Sequence, residues 1–182
     1  MSGGDSVRLS KRLSYVLRHG PESVGVRLDR AGWVPVEDLL RALAAHGAPV
    51  SRAELEQVVV TNDKQRFAFD ATGTRIRASQ GHSVPVDLGY RPQPPPPLLF
   101  HGTSATAVPA ILAEGLRRGR RHAVHLSPDE ATARAVARRR GAAVVLRVDA
   151  AGLAAAGTEF TRSDNGVWLV DAVPPEFLAT PS

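Results

Sequence analysis

Apolar residues recur at helical spacing near the start of the chain, at Leu9, Leu13, Val16 and Leu17. That stripe predicts an amphipathic helix, and Gly20 followed by Pro21 stops it. Val36, Leu39, Leu40 and Leu43 form a second stripe, ended by Gly47. Ser51 with Glu54 three residues on has the form of a capping box, opening a third helix through Val60. Residues 66–70 (RFAFD) and 74–78 (TRIRA) flank a turn containing Gly73, which predicts a hairpin.

The second half is patterned differently. Residues 98–101 predict a short strand, 105–114 a helix closed by Gly115, and 123–126 another strand. Ser127, Pro128 and Glu130 read as the N-cap, first position and box position of a further helix. Residues 143–148 (AVVLRV) read as a buried strand, and 158–162 and 166–170 as strands around the turn Ser163-Asp164-Asn165-Gly166. Residues 91–97 (RPQPPPP) separate the halves, because four consecutive prolines continue neither a helix nor a central strand. The expected organisation is an α+β protein with a lobe over 1–91, a proline-rich linker over 92–97 and a lobe over 98–182. Three helices and a hairpin are the element order of a winged-helix domain, which commonly binds nucleic acid. Gly-x-Gly-x-x-Gly and Walker A loops are missing from the sequence, which removes support for those two modes of nucleotide binding.

Composition narrows the picture. The chain has 182 residues, is 43% apolar and carries a formal charge of +5, enough apolar content for a real core and too little charge for disorder. It has no cysteine, which rules out disulfides, thiolate metal sites and a cysteine nucleophile. With no long apolar run and an N-terminus, MSGGDSVRLSKR, lacking the apolar core of a secretion signal, the expectation is a soluble, cytoplasmic, monomeric protein without membrane contact. A sequence pI near 10.6 favours a polyanionic partner. Of 23 basic residues only Lys11 and Lys64 are lysine. The arginine bias is accounted for by GC-rich codons, and it draws attention to each remaining lysine.

Five segments could carry chemistry. Arg18 and His19 end the first helix, where cations complement the helix dipole or together clamp a phosphate. In Thr61-Asn62-Asp63-Lys64-Gln65-Arg66-Phe67, Asn62 and Asp63 are turn formers, and Lys64 and Arg66 would point to one side of an extended segment. Gln80-Gly81-His82-Ser83 is either a polar loop or a close backbone approach to a phosphate with His and Ser donors. In Phe100-His101-Gly102-Thr103-Ser104 the glycine would let backbone approach a ligand. Arg117, Arg118, Arg120 and Arg121 lead into Val124-His125-Leu126-Ser127, where a solvated arginine cluster and a buried structural histidine are the plain readings.

Taken in order, these segments resemble the KptA-type tRNA 2′-phosphotransferases. The matching pieces are residues 10–19 (SKRLSYVLRH), Gly32-Trp33-Val34, 62–67 (NDKQRF), 76–83 (IRASQGHS), His101-Gly102-Thr103, Val124-His125-Leu126-Ser127 and Asn165-Gly166-Val167. The resemblance spans Leu9 to Leu178. It implies a winged-helix lobe followed by an ADP-ribosyltransferase-like lobe that binds NAD. It also implies that an RNA 2′-phosphate attacks the nicotinamide ribose of NAD, after which the ribose 2″-hydroxyl attacks phosphorus. The products are 2′-hydroxyl RNA and ADP-ribose 1″,2″-cyclic phosphate. Arg18, His19, Arg66 and Arg121 match the family's catalytic set. Lys64 and Arg66 are expected to serve the second step, and Arg18, His19 and Arg121 to orient the attacking phosphate. His101, Gly102, Thr103, His125 and Ser127 match the NAD pocket, while Asn62, Gln80, His82 and Ser83 are candidates for the RNA phosphate. The family needs no metal for this, and no metal cluster is visible. One departure is Ala123, where relatives often carry a histidine, with His122 displaced by one. Two other readings stay open: an ADP-ribosyltransferase acting on nucleic-acid terminal phosphates, and a non-catalytic winged-helix regulator.

Overall fold

The computed structural model describes residues 3–62, 64–138 and 142–180. The chain is α+β and divides into two compact units, Met1–Gly89 and Tyr90–Ser182. Among the described residues no helix is long and apolar enough to cross a membrane.

Unit 1 follows its hydrophobic pattern closely. Helix α1 (Gly3–Arg18) buries Leu9, Leu13, Val16 and Leu17. Helix α2 (Val36–Ala45) buries Val36, Leu39 and Leu43, and α3 (Arg52–Val60) buries Leu55 and Val58, all in one core. The capping box forms: the Ser51 hydroxyl accepts from the Glu54 amide, and the Glu54 carboxylate accepts from the Ser51 amide. Those bonds hold the Glu54 carboxyl below its ordinary pKa, the Ser51 backbone bond contributing most. Gly20 proves to matter for space rather than for a left-handed cap. Its φ is −147°, and a Cβ there would sit 2.8 Å from the Tyr15 ring.

The hairpin is β2 (Phe67–Phe69) with β3 (Arg75–Ala78), and a third strand, β1 (Val34–Pro35), pairs on the other side of β3. The sequence offers no sign of β1 because it is only two residues long and is defined by its partner, Val34 opposite Ile76. The Asp29 carboxylate accepts from the Ala31 and Trp33 amides and shapes the turn that delivers it. At the hairpin tip Asp70 accepts from the Arg75 backbone amide, the Arg75 side chain and the Thr72 hydroxyl.

Unit 2 is built on the pairing of β4 (Leu98–Ser104) with β7 (Ala143–Asp149), seven residues in antiparallel register from Leu98 opposite Asp149 to Ser104 opposite Ala143. Strand β11 (Leu178–Ala179) pairs on the far side of β7. A second sheet has the order β6 (Val124–Leu126), β9 (Trp168–Val170), β8 (Thr161–Arg162), and β5 (Leu116–Arg117) pairs with β10 (Ala172–Val173). Leu99, Leu126, Val148, Leu153, Phe160 and Trp168 fill its core. The proline-rich segment lies on unit 2: Gln93 donates to the Phe160 carbonyl, and the Pro97 carbonyl accepts from Ala150 and Ala151. Proline lacks the donor but keeps its carbonyl, so such a segment can still be held by hydrogen bonds.

Two elements of unit 2 differ from expectation. The helix foreseen at 105–114 begins as a 3-10 turn, Ala105–Ala107, and becomes α-helical only as α4, Val108–Glu114, with Pro109 in its first turn where no amide is needed. Helix α5 (Glu130–Ala137) is capped by Asp129, whose side chain accepts from the Thr132 amide, and not by Ser127. Ser127 is still paired with a strand, since its amide and carbonyl both bond Phe100 of β4. Helix α6 (Ala150–Ala155) has an Ala/Gly-rich sequence with no apolar stripe to announce it, and Asp149 caps it.

Asp70 supplies a pH-dependent contribution to stability. Its carboxyl is held down to about 2, chiefly by the Arg75 backbone bond and then by the Arg75 and Thr72 side-chain bonds. A carboxyl lowered in the folded state stabilises above its unfolded pKa of about 3.9, and the contribution fades as pH falls toward the folded value. Asp70→Asn should therefore be less stable than the parent at pH 5, with the gap closing by pH ~2 in thermal unfolding. A gap independent of pH would contradict the assignment.

Candidate functional site

In unit 1 the sequence candidates gather around the exit of β3. Arg18 and His19 stand at the C-terminal end of α1. The Arg18 carbonyl accepts from the Ser83 amide at 2.9 Å, and the Ser83 hydroxyl hydrogen-bonds His19 Nδ1 at 2.9 Å. Gly81 has a φ of +88°, and a Cβ there would lie 3.7 Å from the Arg18 guanidinium carbon. The loop thus wraps the helix end, and Ser83 orients the exposed imidazole.

The Lys64–Arg66 segment is held from three directions. Its extended reading is corrected: Lys64 lies in a turn, and Gln65 has a φ of +41°, the one non-glycine residue with positive φ among those described. Asn62 is nearly buried at 9% exposure. Its Oδ1 accepts from the Lys64 amide and from Arg66 Nη1, each at 3.2 Å, and its Nδ2 donates to Ser10 Oγ at 3.2 Å. Ser79 donates its hydroxyl to the Gln65 carbonyl and its amide to the Arg66 carbonyl, both at 2.9 Å. Residues 79–83, directly after β3, therefore bond both the Lys64–Arg66 segment and the end of α1.

Other candidates in this unit take different places. His82 is only 2% exposed, and a Cβ on Gly32 would lie 3.4 Å from its Nε2. Such a ring is inside the unit, not at a surface where RNA could reach it. Gln80 is half-buried. Asn62 turns its amide to the protein, so it shapes the segment and does not present itself to a phosphate. Asp63, read as a turn former, lies outside the described residues. Ser10 and Ser79 were given no individual role in the sequence, although both lie in segments that carry the resemblance, 10–19 and 76–83.

In unit 2, His101 on β4 hydrogen-bonds the His125 carbonyl through Nδ1 at 3.1 Å. A carbonyl only accepts, so Nδ1 carries the proton in this contact. On β6, His125 Nδ1 lies 3.5 Å from Arg121 Nη1, at the long limit of a hydrogen bond. The Phe100–Ser127 bridge sets these two strands side by side. His101, His125, Arg121 and Ser127 are thus brought together. Thr103 is buried at 3% exposure on the same face of β4 as His101. Gly102 is not an open backbone approach: a Cβ there would collide with the Ala133 carbonyl and come within 3.1 Å of the Ala137 amide nitrogen. Its smallness lets α5 lie on β4. Among the described residues no group of three or more His, Asp or Glu side chains is placed to hold a metal ion.

Residues 4–172 match the family described as RNA 2'-phosphotransferase, Tpt1 / KptA family. The chain belongs to this family. It is 56% identical over 178 residues to a probable RNA 2'-phosphotransferase of Trichormus variabilis, covering 98% of each chain. Proteins of the same description from Agrobacterium fabrum and Streptomyces griseus are 55% identical over 173 residues and 54% over 180. The match covers 95% of this chain in both cases, and 93% and 95% of the respective relatives.

Gly102→Ala separates packing from ligand contact. Overpacking of this kind costs about 1–3 kcal/mol, so the variant should melt below the parent in thermal unfolding without any ligand. An unchanged melting temperature would return Gly102 to a ligand-facing role.

Proposed function

We propose that this chain is an NAD-dependent RNA 2′-phosphotransferase, with unit 1 a winged-helix lobe and unit 2 an ADP-ribosyltransferase-like lobe. Family membership supports the reaction class. The observation that carries the reading further is the five-residue exit 79–83, which bonds both pairs of cationic residues in unit 1, Arg18–His19 and Lys64–Arg66. Fixed cations are what a reaction between two polyanions requires.

The residues of unit 2 suit a dinucleotide. His101 has a set tautomer, and His125, Ser127 and Arg121 add an imidazole, a hydroxyl and a guanidinium, groups able to bind ribose hydroxyls and a pyrophosphate. Bound NAD supplies an electrophilic ribose carbon with nicotinamide as leaving group. The RNA 2′-phosphate is already an anionic nucleophile, so no general base is needed to activate it. Arg18 and His19 orient that phosphate while its oxygen bonds C1″ and the C–N bond breaks, the electron pair leaving with nicotinamide. In the second step the ribose 2″-oxygen bonds phosphorus and the bond from phosphorus to the RNA 2′-oxygen breaks. The 2″-hydroxyl proton is balanced by protonation of the RNA 2′-oxygen. Lys64 and Arg66 act here, where negative charge accumulates on the phosphate oxygens.

Incubating the protein with NAD and an oligonucleotide bearing an internal 2′-phosphate should yield nicotinamide, 2′-hydroxyl RNA and ADP-ribose cyclic phosphate. A stable ADP-ribosylated oligonucleotide as sole product would favour the terminal-phosphate transferase reading, and absence of nicotinamide release would sink both. Lys64→Ala and Arg66→Ala should accumulate the ADP-ribosylated RNA, whereas Arg18→Ala should block its formation. Equal loss of both steps in all three variants would contradict this division of roles.

A further inference from the structure

The Lys64–Arg66 segment has an unusual backbone and a neutral anchor. Gln65, between the two cations, has a φ of +41°, a conformation that side chains other than glycine adopt uncommonly. Such a conformation persists where neighbouring contacts over-determine it. Here the contacts are specific. The Gln65 amide donates to the Asn62 carbonyl at 2.7 Å, and the Gln65 carbonyl accepts from Ser79. The Asn62 side chain takes the Lys64 amide and the Arg66 guanidinium on one oxygen. With two donors converging there, the amide is oriented with its oxygen toward them and its nitrogen toward Ser10.

Ser10 lies on α1, eight residues before Arg18 in one uninterrupted helix. That stretch is a rod of about 12 Å at 1.5 Å per residue. A tether at Ser10 therefore relates the position of the Lys64–Arg66 segment to the helix that carries Arg18 and His19. The acceptor is also suited chemically. A carboxylate at position 62 would hold Arg66 more strongly but would cancel the charge a phosphate needs. An amide oxygen positions the guanidinium and leaves its charge intact.

We propose that Asn62 and Ser10 form a positioning pair that holds Lys64 and Arg66 in register with the end of α1 for the phosphate-transfer step. This rests on the proposed reaction for its kinetic consequence, but its binding consequence is independent of turnover. The variants are Ser10→Ala, Ser10→Thr, Asn62→Ala and Asn62→Asp, each compared with the parent by thermal unfolding. The first measurement is single-turnover kinetics with NAD and a 2′-phosphorylated oligonucleotide, following nicotinamide release and cyclic phosphate formation separately. Ser10→Ala and Asn62→Ala should slow the second step about tenfold more than the first, as misplaced groups do, so ADP-ribosylated RNA accumulates. Ser10→Thr keeps a hydroxyl and should restore the parental ratio of the two rates. Asn62→Asp keeps an acceptor for both donors, yet should accumulate the same species through partial neutralisation of Arg66. A merely structural pair would lower both rates together, in step with the melting temperature, and that result would overturn the proposal.

The second measurement is binding of the same oligonucleotide without NAD, by fluorescence anisotropy. Ser10→Ala, Asn62→Ala and Asn62→Asp should weaken it, Ser10→Thr should not, and a non-phosphorylated oligonucleotide should bind all of them alike. Should the parent release no nicotinamide, the reaction assigned above fails, and this pattern of binding still upholds or overturns the positioning pair. Equal binding by all variants would overturn it.

Discussion

The register of β3 governs unit 1. This strand pairs on both sides, with β1 and with β2, and Ile76 and Ala78 are fully buried. Because side chains alternate with a period of two, a slip of one residue would turn Ile76 out of the core. The ladder that places Ala78 opposite Phe67 also delivers the next residue, Ser79, to the Arg66 carbonyl. Four residues later the same segment reaches the Arg18 carbonyl and the His19 ring through Ser83. The apolar core thus fixes a register, and the register fixes where the polar groups beyond the strand can bond. Chemistry at the helix end and at the Lys64–Arg66 segment depends on packing several residues away from either.

Much of this was legible in the sequence, and the exceptions have physical causes. Helix stripes and the capping box depend on near neighbours in the chain, so α1, α2 and α3 lie where Leu9, Leu39 and Ser51 indicate. The hairpin follows from the two segments that flank the turn at Gly73. Hidden features are those set by residues far away in sequence. Asn62 resembles a simple turn former until Ser10, 52 residues earlier, becomes its partner. Lys64 and Arg66 resemble a strand pair until Gln65 adopts a left-handed φ. Gly102 resembles a ligand approach, yet it is required by the α5 backbone that packs over it. Ser127 resembles a cap because the sequence cannot show that Phe100 retains its amide.

Unit 2 shows the same dependence of polar placement on backbone pairing. His101 is oriented by the carbonyl of His125. Only the juxtaposition of β4 with β6, enforced by the Phe100–Ser127 bridge, brings that carbonyl within reach. The imidazole of His125 is correspondingly placed beside Arg121. Ala123, the position where the resemblance led one to expect a histidine, falls just before β6 and takes no part in the strand ladder with β9. The backbone arrangement that positions His101 and His125 is therefore compatible with alanine there.

With 21 arginines in 182 residues, composition alone cannot separate a working guanidinium from a solvated one, whereas the acceptor beside it can. Arg41, Arg52, Arg75 and Arg134 each meet a carboxylate within their own unit, at Asp38, Glu56, Asp70 and Glu130. The Arg41, Arg52 and Arg134 pairs are exposed and contribute little to stability, and all four cancel charge locally. The segment around Arg66 is also held by neutral atoms: the Asn62 amide oxygen, the Ser79 hydroxyl and backbone groups. A neutral acceptor constrains direction without consuming charge, which is the combination an anion-handling site requires. Two serines outside the charged set, Ser10 and Ser79, take part in the same arrangement: one meets the Asn62 amide and the other the Gln65 and Arg66 carbonyls.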